Sequence, residues 1–388
     1  MNETTKVSIV SIKEYKNVED AIVAALELIE IDFKFDIDSS QYILLKPNLL
    51  IDKKDACTQP SFVKGIIKYL KLKKISMEKV FIGDSPGQVR KTAITIAKKL
   101  NIYDICEKEG LRFINFEKDT PIKEEIKDGI KLKEIFVSKP VKECDIIINL
   151  PKLKTHGEAT ITGAIKNYWG IIPGGLKAKY HLLGRDPFEF GECLIDTFSW
   201  VVRKKSKRIT IYDLDKVMQG PMGPVSGKMI NWGLILAGTD ELALDIVALE
   251  IGKVKAQNVP HIVSAIKRKM GIGNIENIEI VGKSLEEAKK IAPKFKIPGM
   301  RLNKFAAYFT SRIFYKIKKK IPVLQKDLCI KCGDCVEICP AKAIKIIESN
   351  FPQIDRKTCI SCLCCSELCS QQAIKTKKRG FIGLFHSY

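Results

Sequence analysis

The chain has 388 residues, 45% of them hydrophobic, with 66 Lys and Arg against 45 Asp and Glu and a formal charge of +21. No apolar run approaches the roughly 18 residues that span a bilayer, and the opening MNETTKVSIV does not read as a signal peptide, so a cytoplasmic protein is expected. The basic surplus comes without a helix-turn-helix, zinc-finger or RNA-recognition signature and is diluted along the chain, which argues against a nucleic-acid partner.

The first 300 residues alternate short β-branched runs with helical patterns. KVSIVSI near Val7, YILLKP at Ile43, KVFIGD at Phe81, RFINF at Phe113, CDIIINL at Ile146, RITIYDL at Ile209, GLILAG at Leu234 and IENIEIVG at Ile278 read as strands. VEDAIVAALELIE, SFVKGIIKYL and VRKTAITIAKKL read as helices between them. This predicts an α/β domain over 1–295, with a mostly parallel sheet and helices on both faces.

In such folds ligands sit beyond the carboxyl ends of the strands, and polar residues gather there in this sequence. Ile43 to Leu45 lead into Lys46, Pro47 and Asn48; Phe81 leads to Asp84; Ile146 to Ile148 lead to Lys152, Lys154 and His156. Ile209 to Ile211 precede Asp213 and the loop Gln219 to Pro224, and Thr162 to Asn167 contribute Lys166 and Asn167. These nine, Lys46, Asn48, Asp84, Lys152, Lys154, His156, Lys166, Asn167 and Asp213, are the pocket candidates, and their lysines imply an anionic ligand such as a phosphate or carboxylate. Plainer roles exist for several. Asp84 would hold a Gly-Pro turn, Asn48 would cap a helix, His156 would be a satisfied loop histidine, and Asp245 would meet a buried partner. No phosphate-loop or dinucleotide fingerprint is present.

KPNLL at Lys46, GDSPG at Gly83, INLPKLKTH at Ile148, TGAIKNYWG at Thr162, GPMGP at Gly220 and LILAGTDELALDIVALEIG at Leu234 together resemble the family called domain of unknown function 362, over about Tyr42 to Gly273. The resemblance implies a frequent ferredoxin module but no settled reaction.

Residues 301–320 place Leu302, Phe305, Phe309, Ile313 and Ile317 at helical spacing beside Arg312, Lys316 and Lys318 to Lys320. The segment 296–324 is read as a basic amphipathic linker helix packing on a neighbouring domain, in preference to contact with an anionic membrane surface.

Two cysteine runs follow with identical spacing, Cys329, Cys332, Cys335, Cys339 and Cys359, Cys362, Cys365, Cys369, in a tandem repeat of thirty residues. Thiolates are soft ligands suited to iron, three at i, i+3 and i+6 wrap one corner of a cubane, and the fourth crosses to the other cluster. One 4Fe–4S cluster is therefore assigned to Cys329, Cys332, Cys335 and Cys369, the other to Cys359, Cys362, Cys365 and Cys339. A zinc ribbon would leave the third thiol of each run unused, and a disulfide framework needs an oxidising compartment.

The segment from Lys326 to Lys377 resembles a bacterial-type ferredoxin, implying a small α+β two-cluster domain at 325–378 followed by a tail at 379–388. The second run departs from that pattern: Leu363 replaces a glycine-like residue, Ser370 replaces a proline, and Cys364 adds a thiol whose simpler reading is a buried small hydrophobe. Residues 301–388 hold 17 Lys and Arg against 6 Asp and Glu, a basic face that favours an acidic redox partner and raises the reduction potential.

Two functions fit: an iron–sulfur protein whose clusters exchange single electrons with an anion-binding α/β domain, as in an oxidoreductase, or an electron carrier whose α/β domain docks a partner protein. Clusters that only stabilise the fold are a third reading. Cys57, Cys106, Cys144 and Cys193 lack ligand spacing and read as core or surface thiols.

Overall fold

In the computed structural model, which describes residues 4–30, 37–87, 91–184, 186–220, 223–298, 320–347 and 350–378, the eight apolar runs form one continuous sheet. In chain order the first half contains β1 Thr5–Ser11, α1 Val18–Glu27, β2 Ile43–Lys46, α2 Pro60–Leu72, β3 Val80–Asp84, α3 Ala93–Lys99, α4 Ile102–Glu109 and β4 Arg112–Asn115. A hairpin of β5 Pro121–Glu125 and β6 Glu134–Ser138 follows, then α5 Lys139–Glu143, β7 Ile146–Asn149, β8 Lys152–His156, β9 Thr160–Thr162, α6 Ala164–Asn167, α7 Leu176–Tyr180 and α8 Pro187–Lys204. The domain closes with β10 Lys207–Gln219, β11 Lys228–Gly238, α9 Glu241–Ile251, α10 Pro260–Lys267, β12 Ile278–Gly282 and α11 Leu285–Ile291.

The strand order is β12-β1-β11-β10-β7-β2-β3-β4, with β8 and β9 continuing beside the far end of β10. From β10 to β4 every pairing is parallel, whereas β11 runs antiparallel to both β10 and β1. The sheet is thus mostly parallel rather than wholly so, because the long strands β10 and β11 form a hairpin.

Alternation along the strands builds a core on each face. Ile43, Leu45, Ile82, Ile146, Ile148, Ile209 and Ile211 point to the side covered by α1 to α4. Leu44, Phe81, Ile147, Tyr212, Leu234 and Leu236 point to the side covered by α8, α9 and α10. Caps fix the helix starts: Asn17 accepts from the Asp20 amide at 2.8 Å, and Asp186 accepts from Phe188 and Glu189 at 2.9 and 2.8 Å. The predicted helix over VRKTAITIAKKL begins later than its pattern, at Ala93, where Thr92 accepts from the Thr95 amide.

The C-terminal module comprises β13 Lys320–Leu324, α12 Asp334–Glu337, β14 Ile344–Lys345, β15 Gln353–Ile354, α13 Cys364–Glu367 and β16 Ile374–Lys378. Strands β13 and β16 pair antiparallel, as do β14 and β15. Residues 299–319 of the expected linker helix at 296–324 and the tail at 379–388 lie outside the described residues. Lys320 to Leu324 form a strand instead of helix, since they pair with the last strand of the repeat, so the module starts before 325.

Candidate functional site

The strand tips do converge. Lys46, at the end of β2, is buried and its Nζ donates to Asp84 Oδ1 on β3 at 2.6 Å, while Asp84 Oδ2 accepts the Leu49 amide at 2.7 Å. Lys152 on β8 is neutralised in the same way by Asp213 on β10, at 2.6 Å. These two ion pairs have nearly dry side chains, at 0 and 3% exposure for the first and 1 and 0% for the second. Gly170 closes over the first pair, because a Cβ there would stand 2.2 Å from Asp84 Oδ1 and 2.6 Å from Lys46 Nζ. Lys46, Asp84 and Asp213 are therefore a floor and not the lining of a pocket, and their charges are already spent on each other.

Above that floor runs an amide network. Asn167 Nδ2 donates to Asn149 Oδ1 at 2.7 Å and to the Lys46 carbonyl at 3.2 Å, and its Oδ1 accepts from Asn48 Nδ2 at 3.1 Å. Asn48 Oδ1 in turn accepts from Lys154 Nζ at 2.5 Å. Asn48 is thus a positioning residue for Lys154, not a helix cap. Asp245 explains how Lys166 and Asn167 are held: its carboxylate accepts the amides of Ala164 and Ile165 at 2.8 and 3.1 Å, at the start of α6. Burial pushes that carboxyl up to about 7.

The open space is a cavity of about 100 Å³ lined by Asn48, Lys152, Lys154, His156, Lys166 and Asn167, six of the nine candidates. It holds more than those. Lys177 and His181 from α7 and its end, Trp169 and Phe190 complete one side, and Ile338, Cys364, Glu367 and Leu368 of the C-terminal module form the other. Burial pushes Lys154 and Lys177 down to about 7 each, and lowers Lys166 as well. Burial also holds His156 well below the ordinary imidazole range. Its Nδ1 accepts the amides of Glu158 and Ala159, both at 3.2 Å, so the proton of the neutral ring sits on Nε2.

Three lysines without a carboxylate ion pair, Lys154, Lys166 and Lys177, share the cavity with Glu367, and their charge is present below the pH near 7 to which burial lowers Lys154 and Lys177. That composition suits a small anion. The space admits a few waters or one small oxyanion or carboxylate, and is well below the roughly 300 Å³ where sites for larger organic ligands begin.

In the C-terminal module the repeat folds twice. Cys329, Cys332, Cys335 and Cys369 surround one small cavity, and Cys339, Cys359, Cys362 and Cys365 surround another. Left-handed residues recur at thirty-residue intervals, Lys331 with Ser361, Gly333 with Leu363 and Lys342 with Gln372. Such turns aim backbone N–H groups inward. Lys331 N lies 3.4 Å from Cys329 Sγ, Ala343 N 3.2 Å from Cys339 Sγ and Ala373 N 3.3 Å from Cys369 Sγ. Two four-thiol cradles with amides donating to sulfur are a donor set that fits cubane iron–sulfur clusters. Leu363 keeps the left-handed conformation of Gly333, at φ 61°, despite its side chain; the strain is about 1–2 kcal/mol. Cys364 is buried, as expected of a small hydrophobe, yet it lines both the second cradle and the lysine cavity.

Sequence reasoning missed Lys177, His181, Glu158 and Glu367. Glu158 directly follows the His156-Gly157 turn, and Lys177 and His181 lie on the continuation of the Thr162 motif, which is the signal that was available. Glu367 matches Glu337 in the first repeat and so looked like an exposed helix residue.

The family described as Domain of unknown function (DUF362) matches residues 43–250, and the 4Fe-4S binding domain matches residues 322–345. A thylakoid-associated protein of Synechocystis sp. is 30% identical over 241 residues, covering 59% of this chain and 68% of that protein. Among solved structures, a structural-genomics protein from Thermotoga maritima aligns with TM-score 0.36 and 16% identity, over 57% of this chain and 56% of its own. The lactate racemase apoprotein from Thermoanaerobacterium thermosaccharolyticum aligns with TM-score 0.40 and 12% identity, over 62% and 55%. The chain spans little more than half of each of these two structures, and no activity is carried over from either. No described helix is long and apolar enough to cross a membrane. With the DUF362 match covering more than half of its length and a 4Fe-4S binding motif in its C-terminal module, the chain belongs to the domain of unknown function 362 family and is an iron–sulfur protein.

Proposed function

We propose that this protein carries two 4Fe–4S clusters and couples single-electron transfer to a small anionic ligand bound in the lysine cavity. The cradle of Cys329, Cys332, Cys335 and Cys369 would hold one cluster, and that of Cys339, Cys359, Cys362 and Cys365 the other. Bound there, such clusters supply one-electron oxidation and reduction. The remaining work belongs to the chain. Amides at Lys331, Ala343 and Ala373 donate to thiolate sulfur, and surplus Lys and Arg offset the negative charge of the thiolates.

One observation supports coupling over mere coexistence: Cys364 is a wall of both the second cradle and the lysine cavity. An anion among Lys154, Lys166 and Lys177 would lie one residue away from the ligands Cys362 and Cys365. Asn48 orients Lys154, Asp245 orients the segment carrying Lys166, and the apolar faces of Trp169 and Phe190 restrict water. A cytoplasmic location and an acidic redox partner belong to the same proposal.

The test uses full-length protein purified without oxygen. About eight irons and eight labile sulfides per chain, with a spin-coupled signal in low-temperature electron paramagnetic resonance after dithionite reduction, would support two clusters. Sulfate titrated against Trp169 fluorescence tests the cavity, and a signal lost in Lys166→Met with sulfide content unchanged supports the anion site. About four irons would overturn the count. Electron exchange with a partner protein and no anion binding would point instead to a carrier.

A further inference from the structure

Glu158, His181 and Cys364 come from three distant segments, the turn after β8, the end of α7 and the second cysteine run. A carboxylate oxygen, an imidazole nitrogen and the Sγ all lie within 4.8 Å of one another, and all three residues are buried. Glu158 is 4%, His181 8% and Cys364 5% exposed.

Two of the atoms face each other as a charge pair, in which Glu158 holds a proton on His181. His181 Nδ1 approaches Glu158 Oε2 to 2.9 Å, but neither atom has an aligned hydrogen bond among the described residues. Buried polar atoms without an aligned hydrogen bond are rare and call for an explanation. The His181 ring is not free to turn away: it stacks on Phe190 with centroids 4.5 Å apart at 17°, and Trp169 meets it edge-on at 6.3 Å. Cys364 Sγ approaches the Cys362 carbonyl at 4.0 Å and hydrogen-bonds with the Cys362 thiol.

We propose that these residues form a mononuclear site for a divalent transition-metal ion of the zinc and ferrous class, beside the second cysteine cradle but using none of the eight cradle thiols. Thiolate with imidazole is the donor chemistry those ions prefer, and three protein ligands leave a position open. Bonds of about 2.0–2.3 Å put tetrahedral ligand atoms about 3.5 Å apart, so the set closes on an ion with small side-chain rotations. The 2.9 Å pair already subtends roughly a right angle at such an ion.

Placement gives the site its meaning. His181 and Cys364 line the lysine cavity with Lys154, Lys166 and Lys177, so an open position on that side would face these lysines. An oxygen of a small anion would complete the coordination there, and that last step alone rests on the anion-cavity reading. The metal itself does not depend on it, nor on the number of clusters.

The experiment counts metal against sulfide. Full-length protein purified without oxygen is equilibrated with Zn²⁺ or Co²⁺, desalted, and assayed for metals and acid-labile sulfide. The expected result is one retained Zn²⁺ or Co²⁺ per chain with the iron-to-sulfide ratio unchanged. Zinc-edge X-ray absorption should then show one sulfur at about 2.3 Å with nitrogen and oxygen neighbours at about 2.0–2.1 Å. Cys364→Ser, His181→Gln and Glu158→Gln should each drop the retained metal to background while leaving sulfide at the wild-type level. Cys106→Ser, a buried thiol on α4, should keep both. Absence of retained metal in the wild type overturns the proposal. So does loss of sulfide along with metal in Cys364→Ser, which would make that thiol part of the cluster, and so does full retention in His181→Gln.

Discussion

Glu367 Oε1 accepts the amide proton of Gly157 at 3.1 Å, and the two residues are 210 positions apart. This bond joins the helix inside the second cysteine run to the turn that follows β8. It makes the lysine cavity a product of both modules.

Glu367→Ala should therefore loosen the junction. It leaves a partly buried amide without its acceptor, at a cost toward the low end of about 1–3 kcal/mol. Hydrogen exchange at Gly157 should accelerate while exchange in β2, β3 and β7 stays slow. Unchanged exchange at Gly157 would mean that the contact carries no weight.

The crossed ligand assignment makes a pairing prediction. Cys332→Ala and Cys369→Ala should remove the same half of the labile sulfide, although the residues belong to different runs. Cys339→Ala should remove the other half. Electron paramagnetic resonance on the reduced variants checks this, and a common signal lost in Cys332→Ala and Cys339→Ala would overturn the crossover.

Lys46 and Asp84 form a dry ion pair whose separate removal should be costly. Lys46→Met leaves an unpaired buried carboxylate, and breaking such pairs costs about 3–5 kcal/mol. The double variant Lys46→Met with Asp84→Leu should recover much of that loss in chemical denaturation. Equal destabilisation in the single and double variants would count against the pair as the source.

Anion binding should depend on pH around neutrality. Burial lowers Lys154 and Lys177 from the ordinary lysine value to about 7, so both are charged below that pH and increasingly neutral above it. Sulfate stays an anion throughout this range, so its affinity should fall as pH rises through about 7. Trp169 fluorescence titrations between pH 6 and 8 measure it. In Lys177→Met the fall should be shallower, and a flat profile in the wild type would remove both lysines from the binding site.

Asp245→Ala should act at a distance. Loss of the acceptor for the Ala164 and Ile165 amides frees the start of α6, again at about 1–3 kcal/mol, and moves Lys166. Weaker sulfate binding with labile sulfide intact is the expected outcome; unaltered binding would show that α6 holds its place without Asp245.

The eight strands of the main sheet path were legible because strands buried on both faces are unbroken apolar runs, Ile146 to Ile148 being the plainest. Strand β8 was not, since Lys152-Leu153-Lys154-Thr155-His156 has no apolar face, and its lysines are buried only because Asp213 and Asn48 meet them. Six of nine pocket candidates line the cavity because strand tips reveal position. They do not reveal which charges cancel, and so Lys46, Asp84 and Asp213 were grouped with residues they merely support. The half of the cavity contributed by Glu367, Cys364 and Leu368 had no local signature, because it exists only once the repeat docks on the sheet.

Cys364 stands between two compartments, and under the proposed function that position would tie their occupancies together. Negative charge added on the cradle side is felt on the lysine side through a single residue, in a setting with little water to screen it. An anion in the cavity would make reduction harder by some free energy, and reduction would weaken the anion by the same amount. A cavity so placed would take up its anion when the protein is oxidised and let it go when an electron arrives.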